Sequence, residues 1–546
     1  MQVKITRRRA IVGAAGVVGA AALGVGAPYV VSRLRKPHNI IVIVADAMRG
    51  DVLFKAVNGR EITPHINTLA REGVLFTNAF SAAPSTKSSV ASMLSGMYPP
   101  GHGIEYHYLT LPDCMTLQKY LLGRGYRTVA VVANPYLAPE VGPDGKHRAG
   151  DFGFSSAFDV YALLGFGKQD EESALRKTEG REAYSDGGQI NELFLRVFDK
   201  VSRRRFFHST RPVFAYLHYM DSHQPWIKTA GVKGITGIFH EDGPGTIEDV
   251  YKRDEELIAR IFSDGFSKES LTGGDISRLK AIYHESCAYV DGCIGELIEG
   301  LKARGIYDNT TVIFTSDHGE EMMEHGCIGH GQNLYNTALH VPLVVKTPRW
   351  QPRRVAARVS NAGLLPTVTE FFGDELGNTN LCSLAPNAAG PALDHADIFA
   401  SWLGRDKVIV SDGREAMDDK DSRLCFNISS DPAELAPLPE DAAAIETLKK
   451  IRLQSARFAK DAGVVRRWST SQWQNPWAED QDREAAKLVT EKKITLREAA
   501  YRKSIGDFLP ETAQKALAAH GQDVKINESA LTPEEHRKLK ALGYIN

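Results

Sequence analysis

Two short runs of aliphatic and β-branched residues, each stopped by an acid, constrain this chain more than any other feature. Ile40-Ile41-Val42-Ile43-Val44-Ala45 stops at Asp46, and Thr311-Val312-Ile313-Phe314-Thr315 stops at Ser316-Asp317-His318-Gly319-Glu320. Both read as buried strands. In an open α/β sheet ligands gather at the carboxyl ends of the strands, so two strand-end acids far apart in sequence can meet at one ion. Between them lies the hydroxyl-rich turn Pro84-Ser85-Thr86-Lys87-Ser88-Ser89, just ahead of the helical-looking Val90 to Leu94. A hydroxyl at a helix N-terminus beside a cation is placed to attack a phosphorus or sulfur centre.

From about 37 to 350 the chain alternates β-rich runs with helix-like segments, the pattern of a doubly wound α/β unit. Further strands read at Thr128 to Ala133, followed by Asn134, and at Val213 to His218, followed by Asp221 and His223. Apolar residues at helical spacing mark Ile66 to Glu72, Leu117 to Arg124 and Ile276 to Arg304. The stretch at about 231–272, rich in Gly, Asp and Glu, reads as an irregular insertion near the mouth of the site. Residues 351–546 read as a linker and a small C-terminal subdomain with a charged helical tail; strands are expected at Lys407 to Ser411 and Leu424 to Ile428. The expected fold is therefore α/β, a doubly wound, mixed and mostly parallel sheet with helices on both faces, plus a small C-terminal α+β subdomain.

Composition narrows the partners. A net charge of −1 over 546 residues gives no basic field of the kind a nucleic-acid binder carries. The six cysteines show no C-x-x-C spacing, so neither a zinc cluster nor a dense disulfide framework is indicated. Residues 1–36 are different in kind. Arg7-Arg8-Arg9 precedes an uncharged Ala/Gly/Val-rich stretch from Ala10 to Ser32, followed by Arg33, Arg35 and Lys36, which reads as a twin-arginine-like export signal or an uncleaved N-terminal membrane anchor. Either places the catalytic body outside the cytoplasm, periplasmic or held at the membrane.

The motifs, taken together, resemble the sulfatase-type branch of the alkaline phosphatase superfamily. Asn39 to Arg49 with Asp46, Thr63-Pro64-His65 to Ala79, Ser92-Met93-Leu94-Ser95-Gly96, His218-Tyr219-Met220-Asp221-Ser222-His223, Ser316 to Glu320, and Leu334-Tyr335-Asn336-Thr337 before Val341-Pro342-Leu343 follow the family's order. The resemblance implies that the nucleophile stands ten residues before Gly96, at Thr86. Sulfatases of this type make a formylglycine from Cys or Ser in a C/S-x-P-x-R string. Thr86 cannot be so converted, and Ser88 and Val90 occupy the Pro and Arg positions, so formylglycine is not expected. Threonine here is similar to the phosphodiesterase and phospholipid-headgroup transferase members, in which the hydroxyl attacks phosphorus.

Asp46, Thr86, Asp317 and His318 are the expected ligands of one divalent cation, Mn²⁺, Zn²⁺, Mg²⁺ or Ca²⁺, since hard oxygens with one imidazole suit all of these. His218, His223 and His330 are candidates to contact non-bridging oxygens or to protonate the leaving group, and Lys87 to add positive charge beside the nucleophile. Ser85 and Ser88 stay open as alternative nucleophiles, and Glu320 reads as a residue that orients His318. The expected activity is metal-dependent hydrolysis or transfer of a phosphoester or phosphonate through Thr86, on an anionic ester substrate such as a lipid headgroup or envelope glycan, with the membrane near at hand. Sulfate ester hydrolysis is the second reading, and a catalytically silent envelope binding protein the third.

Overall fold

The computed structural model describes residues 38–461 apart from 106–108, 112–113, 138–139, 142–146, 149–152, 165–186, 203–210, 227–236, 241–245, 264–265, 375–382, 385–396, 403–404, 411–412 and 420–421, together with 467–468. The expected export segment, Cys382, most of the Trp-rich stretch after Arg466 and the end of the chain lie outside the described residues. No helix among the described residues is long and apolar enough to cross a membrane.

An eight-stranded sheet forms the centre. Its strands are β1 (Asn39–Ala45), β2 (Val74–Phe80), β3 (Arg127–Val132), β4 (Val160–Leu163), β5 (Val213–Tyr219), β6 (Thr310–Thr315), β7 (His340–Lys346) and β8 (Arg353–Ser360), in the order β8-β2-β7-β6-β1-β5-β3-β4. All neighbours pair in parallel except at β7, which runs antiparallel to both β6 and β2. The sheet is thus mixed and mostly parallel, as expected.

Side chains alternate across it. Ile41, Ile43 and Ala45 of β1 enter one apolar core with helices α1 (Pro64–Glu72), α4 (Gly187–Ser202), α5 (Ile247–Ile261) and α6 (Gly273–Ala303). Ile40, Val42 and Val44 enter a second core on the opposite face with α2 (Thr86–Ser95), α3 (Leu117–Gly123) and α7 (Leu364–Glu370). Each Ile or Val so buried contributes about 1.5–3 kcal/mol, and the two-sided burial holds rigid the strand that presents Asp46.

Two expectations change here. The sheet does not end near 350, because β8 adds an edge strand beside β2 and α7 packs on the second core. Its sequence Arg353-Arg354-Val355-Ala356-Ala357-Arg358 reads as polar because its start is solvent-exposed, which disguised it as a linker. The stretch at 231–272 is not irregular throughout, since it contains the fifteen-residue helix α5, started by a capping box between Thr246 and Asp249.

The C-terminal unit is a four-stranded antiparallel sheet of β9 (Ile398–Trp402), β10 (Arg405–Ile409), β11 (Arg414–Asp419) and β12 (Ser422–Asn427), with helix α8 (Ala442–Asp461). Phe399, Val408 and Ala416 pack with Ala444 and Leu448 of α8 and with Ala82 and Tyr98 of the larger unit. Arg452 of α8 adds ion pairs to Glu105 and Asp406. The subdomain therefore braces the loop that follows β2 and leads to Thr86.

Candidate active site

Asp46 leaves the end of β1 and Asp317 the end of the adjacent β6, so parallel pairing sets the two acids side by side. Each carboxylate has one oxygen tied to the protein. Asp46 Oδ2 accepts from Asn134 Nδ2 at 2.6 Å and from His218 Nε2 at 2.8 Å. Asp317 Oδ1 accepts from the backbone N–H groups of Ala47 (3.2 Å) and His318 (3.0 Å). The other oxygens, Asp46 Oδ1 and Asp317 Oδ2, are buried without a hydrogen-bond partner. Such a group is costly unless something else compensates it.

His318 shows what would compensate it. Its Nδ1 lies 2.9 Å from the carbonyl of Gly319, which can only accept, so Nδ1 carries the proton and Nε2 presents a lone pair. That lone pair stands 3.6 Å from Asp46 Oδ1 and 3.6 Å from Asp317 Oδ2, and 3.4 Å from Thr86 Oγ1. Separations of this size, too long for hydrogen bonds, suit donor atoms that share one ion at about 2.0–2.2 Å. The four expected ligands fit a divalent cation on this observation.

Local geometry explains why these residues stand here. Gly319 hydrogen-bonds Ala338 O, and a Cβ at this position would overlap the carbonyl of Thr337, so the turn that presents His318 requires glycine. Ala47 holds a left-handed conformation, φ 60°, immediately after Asp46; its carbonyl accepts from the Tyr283 hydroxyl at 2.9 Å, which fixes this strained turn.

Thr86 is the first residue of α2 and is buried. Two serines of the same turn are committed elsewhere, Ser88 donating to Ile104 O at 2.6 Å and Ser89 to Asp317 O. Gly96 closes the helix in a left-handed conformation, φ 66°, with its N–H on Ser92 O. The ten-residue interval from Thr86 to Gly96 is thus the length of one helix.

Asn134, seen from sequence merely as a polar strand end, completes the site. Its Oδ1 accepts the N–H of Tyr136 at 2.8 Å, which turns Nδ2 toward Asp46 and to 3.3 Å from Thr86 Oγ1. Lys87 is buried beside it, with Nζ 5.9 Å from the Tyr136 ring centroid.

The three further histidines separate in role. His218 is fully buried behind Asp46, its second nitrogen 3.1 Å from the Tyr216 hydroxyl, so both ring nitrogens face protein groups. A ligand atom of His218 also lies near enough to those of Asp46 and Asp317 for the three to group around a metal, yet the 2.8 Å contact with Asp46 is a hydrogen bond. His330 and His223 form a row with His318, with ring centroids 4.1 Å apart for His318 and His330 and 4.7 Å for His330 and His223. Glu320 does not orient His318; its Oε1 lies 2.8 Å from His330 Nδ1, because the hairpin that pairs Glu321 with Gly329 sets the two residues opposite each other. Burial works to lower the His330 pKa, but the Glu320 carboxylate, with Asp46 and Asp317 beyond it, holds the pKa above the usual histidine value. Burial likewise opposes ionisation of Asp46, and the imidazoles of His223, His218 and His318 outweigh it and keep that carboxyl ionised.

The sulfatase family model matches residues 38–373, more than half of the chain. This protein belongs to the sulfatase family. It falls in the sulfatase-type branch of the alkaline phosphatase superfamily and is a sulfatase-like hydrolase. Arylsulfatase K of Xenopus laevis is 24% identical over 519 residues, covering 87% of this chain and 94% of its own. A multifunctional alkaline phosphatase superfamily protein, PehA of Trinickia caryophylli, is 24% identical over 387 residues, 62% of this chain and 74% of its own. Among solved structures, the phosphonate monoester hydrolase of Agrobacterium radiobacter superposes with a TM-score of 0.60 at 21% identity, over 77% of this chain and 96% of the other.

Proposed function

We propose that this protein is a metal-dependent phosphoester or phosphonate hydrolase or transferase in which Thr86 is the nucleophile. The observation that carries the reading is the setting of Thr86 Oγ1, 3.4 Å from His318 Nε2 and 3.3 Å from Asn134 Nδ2, while Ser88 is spent on Ile104. Asp46, Thr86, Asp317 and His318 would hold the cation. When bound, a divalent ion supplies Lewis acidity, lowering the pKa of a hydroxyl and neutralising charge on an anionic ester.

The chain's own groups do the rest. The Asn134 amide donates toward Oγ1 and favours its deprotonated form. Thr86 Oγ1 forms a bond to phosphorus as the bond to the leaving oxygen breaks. His330, with Nδ1–H on Glu320, offers a protonated Nε2 to that oxygen. His223, whose Nδ1 faces the Gln224 carbonyl at 2.7 Å, stands beside it to contact the ester. Attack by water, or by an acceptor hydroxyl, on the phospho-threonine then restores Thr86. Lys87 adds positive charge beside the nucleophile.

Sulfate ester hydrolysis is the second reading, favoured by relatives such as arylsulfatase K. It would need direct attack by Thr86 or conversion of Ser85 or Ser88. Turnover of matched aryl phosphodiester, phosphonate and sulfate esters by the metal-loaded protein and by Thr86→Ala separates the two. Phosphorus ester cleavage lost in the variant supports a threonine nucleophile, and sulfate cleavage that survives it would sink the proposal. The basic, uncharged-cored N-terminus supports export to the periplasm or the membrane surface, where lipid headgroups and envelope glycans are within reach; fractionation of cells carrying Arg7→Lys, Arg8→Lys and Arg9→Lys together tests it, since unimpaired export would refute a twin-arginine signal.

A further inference from the structure

A second cluster of metal-ligating side chains lies outside this site. His240 follows a tight turn at 237–240, Asp254 projects from α5 and Glu285 from the middle of α6, and all three side chains are at most 4% exposed. His240 Nε2 has no hydrogen-bond partner, although it points between two carboxylates, 3.5 Å from Asp254 Oδ2 and 3.4 Å from Glu285 Oε1. Those gaps exceed an N–H···O bond of about 2.7–3.2 Å. They match the edge of a tetrahedron of nitrogen and oxygen ligands held about 2.0–2.2 Å from a common zinc ion. The nitrogen and both oxygens lie within 4.8 Å of one another.

We propose that His240, Asp254 and Glu285 form a second divalent-cation site, of the zinc class, that joins the inserted helix α5 to α6. The carboxylates are held as metal ligands usually are, from behind. Arg278 Nη1 donates to Asp254 Oδ1 at 2.8 Å, leaving Oδ2 to face the ring, and Glu285 Oε1 also accepts the Gly237 N–H at 2.6 Å. The same Arg278 nitrogen lies 3.4 Å from His240 Nδ1, so the competing arrangement is a neutral ring whose Nε2 proton is shared by the two acids. The guanidiniums of Arg278 and Arg253 both stand near the cluster. Its position gives it a purpose. Phe239 packs in the core that also holds Trp226, and Ser286, next to Glu285, hydrogen-bonds Trp226 O at 2.8 Å. The site would thus fasten the insertion to the helix that supports the His223 loop.

The experiment uses the full chain, stripped with a chelator, then titrated with Zn²⁺ and assayed for bound metal. Two equivalents are expected for the wild type, one for Glu285→Gln, which keeps the side chain's size, and one for Asp317→Asn, which reports the catalytic site separately. Equal zinc content in Glu285→Gln and the wild type would overturn the proposal and leave a shared proton. Anomalous scattering at the zinc edge from wild-type crystals needs no variant. A peak between His240 Nε2, Asp254 Oδ2 and Glu285 Oε1 supports the site, and a peak at Asp46 and Asp317 without one here refutes it.

Discussion

His218 Nε2 donates to Asp46 Oδ2 at 2.8 Å from a position with no solvent exposure, and the Tyr216 hydroxyl meets its other nitrogen at 3.1 Å. Tyr216, His218 and Asp46 form one chain of hydrogen bonds that aims the free Asp46 oxygen at His318.

His218→Ala should therefore weaken metal binding by about 10- to 100-fold, the usual cost of losing a partner behind a ligand. Chelator competition on the variant checks this. Unchanged metal affinity would return His218 to the substrate side of the site.

Asn134→Ala removes the donor shared between Asp46 and Thr86. A fall in kcat of about 100-fold is expected, with KM little altered, as for loss of one donor that acts on developing negative charge. Steady-state kinetics with an aryl phosphodiester decides it, and a change confined to KM would assign Asn134 to substrate binding.

Thr86→Ala should abolish turnover while the fold and metal content persist. Asp317→Asn should lose the metal of this site and activity, because it replaces the charged oxygen that faces His318. Metal analysis beside circular dichroism distinguishes them. Saturating the stripped wild-type protein at about 100 times the metal's Kd should add roughly 2.7 kcal/mol of stability, read as a rise in Tm.

Glu285 gives a pH signature to the metal-free protein. Burial, assisted by the charge of Asp254, pushes its pKa up to about 8 against the pull of backbone N–H groups. The folded state then holds a proton that the unfolded chain has released above the ordinary glutamate value. Stability should fall as pH rises from about 4.5 to about 8. Glu285→Gln should reduce that slope in thermal melts of stripped protein, leaving the part below about pH 7 that burial of Asp254 contributes, and zinc should reduce it in the wild type.

Much of the site was legible in the chain itself. A strand buried on both faces must be apolar until it leaves the sheet, so the first acids after β1 and β6 mark the strand ends, and the turn of hydroxyls ahead of a helical run marks a helix start; the resemblance, counted back from Gly96, singled out Thr86 within it. These are local rules, with periods of two and 3.6 residues, and they need no knowledge of neighbours. The strand order β3-β5-β1-β6 is not local. It brings Asn134 to Asp46 and Thr86 and turns His218 inward, while the short hairpin that pairs Glu321 with Gly329 hands Glu320 to His330 instead of His318. The same applies to His240, Asp254 and Glu285, which come from a turn and two helices whose packing joins them. Sequence determined which side chains carry charge at strand and helix ends; tertiary structure decided which of them face one another, because lateral register and side-chain direction arise only when distant segments pack into one sheet and two cores.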